Sequence, residues 1–326
     1  MPAIRRILVA IKDPDARSQP TLRKAAQLAQ AMGAGLQLFH ALADPVHVDA
    51  GALGGRSLKT LQTQALKSRL AKLERMAAKL RADGLRVDVA CAWDFPAYEA
   101  VVRGAERCRA DLIVAERHAQ RHRAPWLLRF NDWELLRRSR LPVLLVKSSR
   151  PYARKPVLAA IDPGHTYAKP ARLDAAVLQA GATLAVALRA DLHVVHSFEP
   201  LPVSFGQPGF YAPAIATRIR LEAGREAAKR LERALQDHAI ARSRRHVVQG
   251  RAEDVIPSLA AKLHTGILVM GAVSRSGLQR LLIGNTADRI LDDVTCDVLV
   301  IKPARFKARV KRAQRGLKYI ATPMGY

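Results

Sequence analysis

Several things are scarce in this chain. Cysteine occurs three times in 326 residues, at Cys91, Cys108 and Cys296. The three are scattered, odd in number and at no metal-ligand spacing. Neither a disulfide framework nor a cysteine zinc site is expected, and the reading is a reducing, cytoplasmic setting with no metal. No apolar run approaches the ~18–20 residues of a membrane-spanning helix. The N-terminal apolar stretch, Ile7 to Ile11 before Lys12, is too short for the core of a secretory signal. Aromatic residues are only 5% of the chain. Acid is scarce too: 28 Asp and Glu stand against 54 Lys and Arg, a formal net charge of +26, and most of the cations are arginine.

Enzyme signatures are also missing. No glycine loop ends in Gly-Lys-Ser/Thr, which excludes a P-loop ATPase. No Gly-x-Gly-x-x-Gly follows a first strand; Lys12-Asp13-Pro14 and Asp162-Pro163-Gly164-His165 stand there instead. No Gly-x-Ser-x-Gly elbow appears, and no nucleophile, base and orienter assemble. A binding protein rather than an enzyme is expected.

What is present is a globular composition, 49% apolar and 25% charged, in a chain long enough for two domains. An internal repeat divides it. Ile7-Leu8-Val9-Ala10-Ile11 pairs with Val157-Leu158-Ala159-Ala160-Ile161. Asp111-Leu112-Ile113-Val114 pairs with Gly266-Ile267-Leu268-Val269, and Val143 to Lys147 pairs with Val298 to Lys302; these last two share the offset 155. A period this long means duplicated domains, not a solenoid.

Each half alternates short Val/Ile/Leu-rich runs with helical patterns. Strands are expected near 7–11, 35–41, 87–92, 111–115 and 143–147, and again near 157–161, 191–197, 245–249, 266–271 and 297–302. Helices are expected near 18–32, 57–83, 97–109 and 131–139, then 171–189, 213–239, 251–263 and 285–293. Leu66, Leu70, Leu73, Ala77 and Leu80 form an apolar stripe at helical spacing. Five strands separated by helices imply a parallel sheet with helices on both faces. Ser148 to Pro156 reads as a polar, proline-bearing linker. After Pro303 a tail carries Arg305, Lys307, Arg309, Lys311, Arg312, Arg315 and Lys318 with no acid. The expected domains are therefore 1–149 and 155–303, with a basic tail over 304–326.

The segment Met270-Gly271-Ala272-Val273-Ser274-Arg275-Ser276-Gly277 to Gly284-Asn285-Thr286-Ala287-Asp288 follows a strand and ends at a helix N-terminus. Ligands bind at such crevices in open α/β sheets. Glycines there let backbone approach a phosphate, and free N–H groups attract anions. The same glycines also serve a loop that only turns sharply, and the residues alone leave both readings open.

With these residues in view the chain resembles the tandem universal stress proteins, of the UspE-like kind. The nucleotide-binding members of that family carry Gly, two residues, Gly, nine residues, Gly and a hydroxyl residue. Gly271 and Gly284 match; Ser274 and Asn285 depart, with Thr286 next. Gly284-Asn285-Thr286-Ala287, Cys296 to Pro303 and Trp133 to Arg138 carry the rest of the likeness. The resemblance implies two tandem Rossmann-like universal-stress domains packed as an intramolecular pseudo-dimer, with a stress-response role. It implies an adenine nucleotide such as ATP, or a nucleotide-linked small molecule, in the second domain. Asp162 and Ser197 would meet the base or ribose side. Met270, Gly271, Ser274, Arg275, Gly284, Asn285 and Thr286 would line the phosphate side. Asp288, in the first helical turn, favours an empty helix end, so weaker triphosphate binding is expected than the intact motif gives.

The first half has Glu116 in place of the first glycine and no glycine from Ala115 to Trp126. It reads as a structural or partner-facing domain. His118 and His122 read as part of a solvated basic loop, and His193 and His196 as local hydrogen-bonders. Leu201 to Pro213 is apolar and aromatic for a loop; a flap packed on the partner domain is preferred over a lid above an amphiphilic ligand. A second reading of the whole makes the chain a ligand-free interaction protein. Its basic surface would then contact nucleic acid, anionic membrane or acidic partners. A homodimer is left open.

Overall fold

The computed structural model describes residues 3–43, 46–48, 58–117, 130–164, 172–199, 213–271, 285–303, 310–311, 313 and 319–321. The chain divides into two compact units, Pro2–Pro151 with Phe306–Tyr326, and Tyr152–Arg305.

The first unit runs β1 (Arg6–Ala10), α1 (Pro20–Met32), β2 (Gly35–Leu42), β3 (Val46–Val48), α2 (Leu58–Ala82), β4 (Val87–Trp93), α3 (Ala97–Arg107), β5 (Leu112–Glu116), α4 (Phe130–Arg138) and β6 (Val143–Val146). Five strands pair in parallel in the order β4-β2-β1-β5-β6. Ile7, Leu8 and Val9 of β1 are fully buried, as expected of a strand covered on both faces. Right-handed crossovers put α1 and α2 on one face of this sheet and α3 on the other, because the chain reverses direction across the sheet after β4. Leu73 and Ala77 of the α2 stripe are fully buried, with Leu66, Leu70 and Leu80 half-buried beside them.

The second unit repeats the plan: β7 (Val157–Ala160), α5 (Leu173–Leu188), β8 (Leu192–Phe198), α6 (Pro213–Ala234), β9 (Arg245–Gln249), α7 (Ala252–Lys262), β10 (Ile267–Gly271), α8 (Asn285–Asp293) and β11 (Asp297–Ile301). Its parallel order is β9-β8-β7-β10-β11. The duplication reaches the register of pairing. Ile113 faces Val143 and Leu268 faces Val298; Ile7 faces Leu36 and Val157 faces Leu192. Helix ends repeat as well: α1 stops at Gly33 with φ 66°, and α5 stops in the same left-handed conformation at Arg189, φ 50°.

Two features depart from the sequence reading. Tyr152, within the expected polar linker, is core: it is 1% exposed, and its hydroxyl donates to the Asp297 carboxylate at 2.8 Å. Burial, then the Asp297 charge, pushes its phenol well above the ordinary tyrosine range. The tail also makes structure that its composition does not announce. β12 (Tyr319–Ala321) runs parallel to β3, with Tyr319 opposite Val46. Nearby, the Arg103 Nη1 donates to the Lys311 carbonyl at 3.0 Å. Both contacts lie within the first unit.

Arg103 is itself a buried charge. Its Nε donates to Asp94 at 2.7 Å and its Nη1 to Glu99 at 3.0 Å. Nη2 lies 2.6 Å from the same Asp94 oxygen, without hydrogen-bond alignment. Arg103, Asp94 and Glu99 are 3%, 0% and 1% exposed. Ions this deep persist only when paired and hydrogen-bonded.

Candidate ligand crevice at the ends of β7 and β10

In the second unit the chain passes from β7 outward to β8 and β9, then returns to the other side of β7 as β10. Connections leave β7 and β10 in opposite senses, so their carboxyl ends flank the topological switch point, the place where open α/β sheets receive ligands. Asp162 lies just past β7 and Gly271 closes β10; the two strands pair up to Ala160 opposite Met270. Ser197 sits on β8, one strand further from β10. Met270 is core, 6% exposed. Asn285 opens α8, with Thr286 next and Asp288 in its first turn. For Asn285 only the backbone is described. Ser274, Arg275 and Gly284 lie outside the described residues, as do His118, His122 and residues 201–212 of the apolar loop.

The first turn of α5 leans over this edge. Asp174 Oδ1 accepts the Asp162 N–H at 3.3 Å. Leu173 packs against Gly271 so closely that a Cβ there would lie 2.7 Å from Leu173 Cδ2 and 2.9 Å from Cγ. Glycine at 271 is thus required by space taken up by Leu173. On the α7 side, the Glu253 carboxylate, 7% exposed, accepts from Arg289 of α8 at 3.0 Å and pairs with Arg251. That arrangement fixes α8 against α7.

Besides Leu173, sequence reading did not expect Asp174 at this edge. His196, read as a local hydrogen-bonder, is 3% exposed, with Nδ1 4.0 Å from Asp162 Oδ1. The repeat held its signal, because His40 occupies the same place on β2. There Nδ1 donates to the Ile11 carbonyl at 2.9 Å, so the imidazole faces the end of the first strand in both halves. Lys302 lies one residue past β11, whose last residue Ile301 faces Gly271, and is buried. Burial pulls its amine down to about 7; an anion nearby would hold it charged. Lys147 holds the matching place in the first half.

The first unit differs at the matching edge. β5 ends in Glu116, whose carboxylate stands where β10 has glycine, and Arg117 lies over the Trp133 ring at 4.9 Å. A cavity of about 500 Å³ on this unit is lined by Phe39, Leu66, Cys91, Trp93 and Cys108 among others. Burial pushes the Cys91 thiol up to about 11 and raises that of Cys108, so both stay protonated at neutral pH and are poor nucleophiles.

His193 and His246 meet across β8 and β9. Nδ1 of one lies 2.9 Å from Nε2 of the other, with centroids 5.2 Å apart and planes 9° apart. Those distances leave only the two ring radii between nitrogen and centroid, so the rings lie edge to edge in one plane, joined by an N–H···N bond. Burial first, then nearby positive charge, lowers both imidazoles below the ordinary histidine value of 6.5. The unfolded chain therefore takes up these protons at higher pH than the folded one, and stability falls as pH drops through the ordinary imidazole range. Urea midpoints of the second unit, measured between about pH 8 and pH 5, are expected to fall with acid. The His193→Gln/His246→Gln variant should show a flatter profile; an equally steep one counts against this assignment.

Among the described residues no helix is long and apolar enough to cross a membrane, and no three His, Cys, Asp or Glu side chains converge as metal ligands.

The fold defines a duplicated, doubly wound α/β protein. A profile of the universal stress protein family matches residues 3–147 and again 153–302. The chain belongs to the universal stress protein family, as a tandem member, and carries that family's stress-response role. Universal stress protein E of Escherichia coli K12 is 27% identical over 316 residues, covering 93% of this chain and 96% of that protein. Universal stress protein E of Photorhabdus laumondii is 26% identical, covering 94% and 98%. A functionally unknown protein of Pseudomonas aeruginosa PAO1 superposes with a TM-score of 0.68 at 27% identity, covering 92% of this chain and 93% of that one.

Proposed function

We propose that the second unit binds an adenine nucleotide, ATP or a relative, or a nucleotide-linked small molecule. The crevice after β10 receives it, and the chain works by binding rather than by turnover. One observation carries the reading: an acid, Asp162, and a glycine strand end, Gly271, flank the switch point of an open parallel sheet. Asp162 and Ser197 serve the base or ribose side. Gly271 and Thr286, with Ser274, Arg275, Gly284 and Asn285, serve the phosphates. Asp288 weakens the hold on a third phosphate. The first unit, with Glu116 at its matching strand end, takes no phosphate.

Isothermal titration of the full chain with ATP, ADP and UDP-sugars tests this. Micromolar binding is expected. It should be lost in Gly284→Asp, which adds a carboxylate where backbone approaches phosphate, and weakened in Asp162→Ala. Absence of heat with every nucleotide removes the nucleotide reading and leaves the fold untouched.

A further inference from the structure

On the first unit, α1 and α2 lie on one face of the sheet yet scarcely touch each other. Between them runs a groove of about 920 Å³. Its floor is apolar: Leu22 and Ala26 come from α1, Met76 and Leu80 from α2, and Leu85 from the turn beyond. Among the described residues no aromatic side chain lines it. Its rims are cationic, with Arg17 and Arg23 on the α1 side and Arg75 and Lys79 on α2, all exposed. Among the described residues Arg17, Arg75 and Lys79 have no carboxylate at ion-pair distance, and Arg23 bonds only to the Ser18 hydroxyl, at 3.3 Å. Of the two acids on the groove, Asp15 is already engaged by Arg69 at 2.5 Å and by Lys72. Lys72, then Arg69, holds that carboxyl below its usual range. Asp83 is the other.

This is not how the chain treats a solvated helix elsewhere. α6 interleaves its cations with Glu222, Glu226 and Glu232, and all three are in ion pairs with arginines. α2 has seven cations and one acid, Glu74, which is spent on Arg81. Nor does the repeat demand such a groove: α5, the counterpart of α1, carries Asp174 as its single charged residue. The rim charges belong to the half whose ligand edge has changed.

We propose that this groove docks an acidic amphipathic helix from a partner protein. The partner's apolar stripe lies on Leu22, Ala26, Met76 and Leu80, and its Glu and Asp residues pair with Arg17, Arg23, Arg75 and Lys79. Two helices as walls and an aliphatic floor fit the helix-in-groove mode, and Met76 adapts to the shape presented. The aliphatic character of the described lining argues against single-stranded nucleic acid, which gains most of its non-ionic affinity from stacking.

Fluorescence anisotropy on the full chain tests it with three probes: a labelled Leu/Glu amphipathic helix, a scramble of the same composition with no apolar stripe, and oligo(dT). The helix should bind at least about tenfold tighter than the scramble, and Arg75→Glu/Lys79→Glu should weaken it by about tenfold or more. Arg218→Glu on α6 should change nothing. Because both groove positions are exposed, melting curves should match the parent; Met76→Glu, on the floor, provides a second disruption that keeps all rim cations. Equal binding of helix and scramble overturns the proposal. So does indifference to both groove variants, or tighter binding of oligo(dT) through the same residues.

Discussion

Arg103→Met is expected to lower the stability of the first unit by about 3–5 kcal/mol, because it removes the guanidinium that both buried carboxylates, Asp94 and Glu99, bond to. Neither carboxylate can reach water, and each keeps a like charge for a neighbour. The variant also strips the Lys311 carbonyl of its donor, so the tail loses one anchor at the same time. Tryptophan reports on this unit alone, since Trp93, Trp126 and Trp133 all precede the joint. Urea unfolding followed by tryptophan fluorescence should therefore show a large drop in midpoint. The triple variant Asp94→Leu/Glu99→Met/Arg103→Met should recover much of the loss, because a buried ion group is often replaceable by apolar residues of similar volume. A single variant as stable as the parent would show that the charges are not held as described.

Gly271→Ala is expected to cost about 1–3 kcal/mol in the second unit, the usual penalty for overpacking. A methyl group there must displace Leu173, which is 3% exposed and has little room to move. Leu173→Ala alone should cost about 2–5 kcal/mol through the cavity it leaves. Together the two should cost less than their separate effects, by about 0.5–3 kcal/mol, since each relieves the other. Hydrogen exchange along β10 and β7 reads this unit directly. Strict additivity would mean that Leu173 is not what requires glycine at 271. Nucleotide titration of the double variant then separates packing from binding: if stability recovers and affinity does not, Gly271 also serves the ligand.

Much of the architecture was legible because parallel strands covered on both faces announce themselves. Ile7 to Val9, Val157 to Ala159 and Val298 to Ile301 are short apolar runs with nothing polar to face water. The repeat then made each half a check on the other, and the strands of the ten-stranded plan begin and end within about two residues of expectation, whereas β3 and β12 were not expected. The crevice was legible in part. Asp162 and Gly271 stood out because strand ends beside glycine loops carry ligands in this architecture. Leu173 did not, because a leucine at the start of an apolar helix looks like any other core residue until the helix is laid across the sheet. Nor did His246 as the partner of His193: the two are 53 residues apart, and only strand pairing sets them in one plane. Tyr152 was read from its polar neighbours, yet its phenol reaches a buried carboxylate 145 residues away.

By itself, then, the amino-acid order determined the duplication, the alternation of strand and helix, the family and the excess of positive charge. All of these are properties of residues near one another or recurring at a fixed interval. Tertiary structure alone decided where charge is neutralised and where it is left open. Arg103 is consumed by two carboxylates and a tail carbonyl, whereas Arg75 and Lys79 meet no carboxylate among the described residues and stand above an apolar floor. Composition counts these cations alike. Their difference comes from packing, which alone sets the distance to the nearest acid and the amount of water between them.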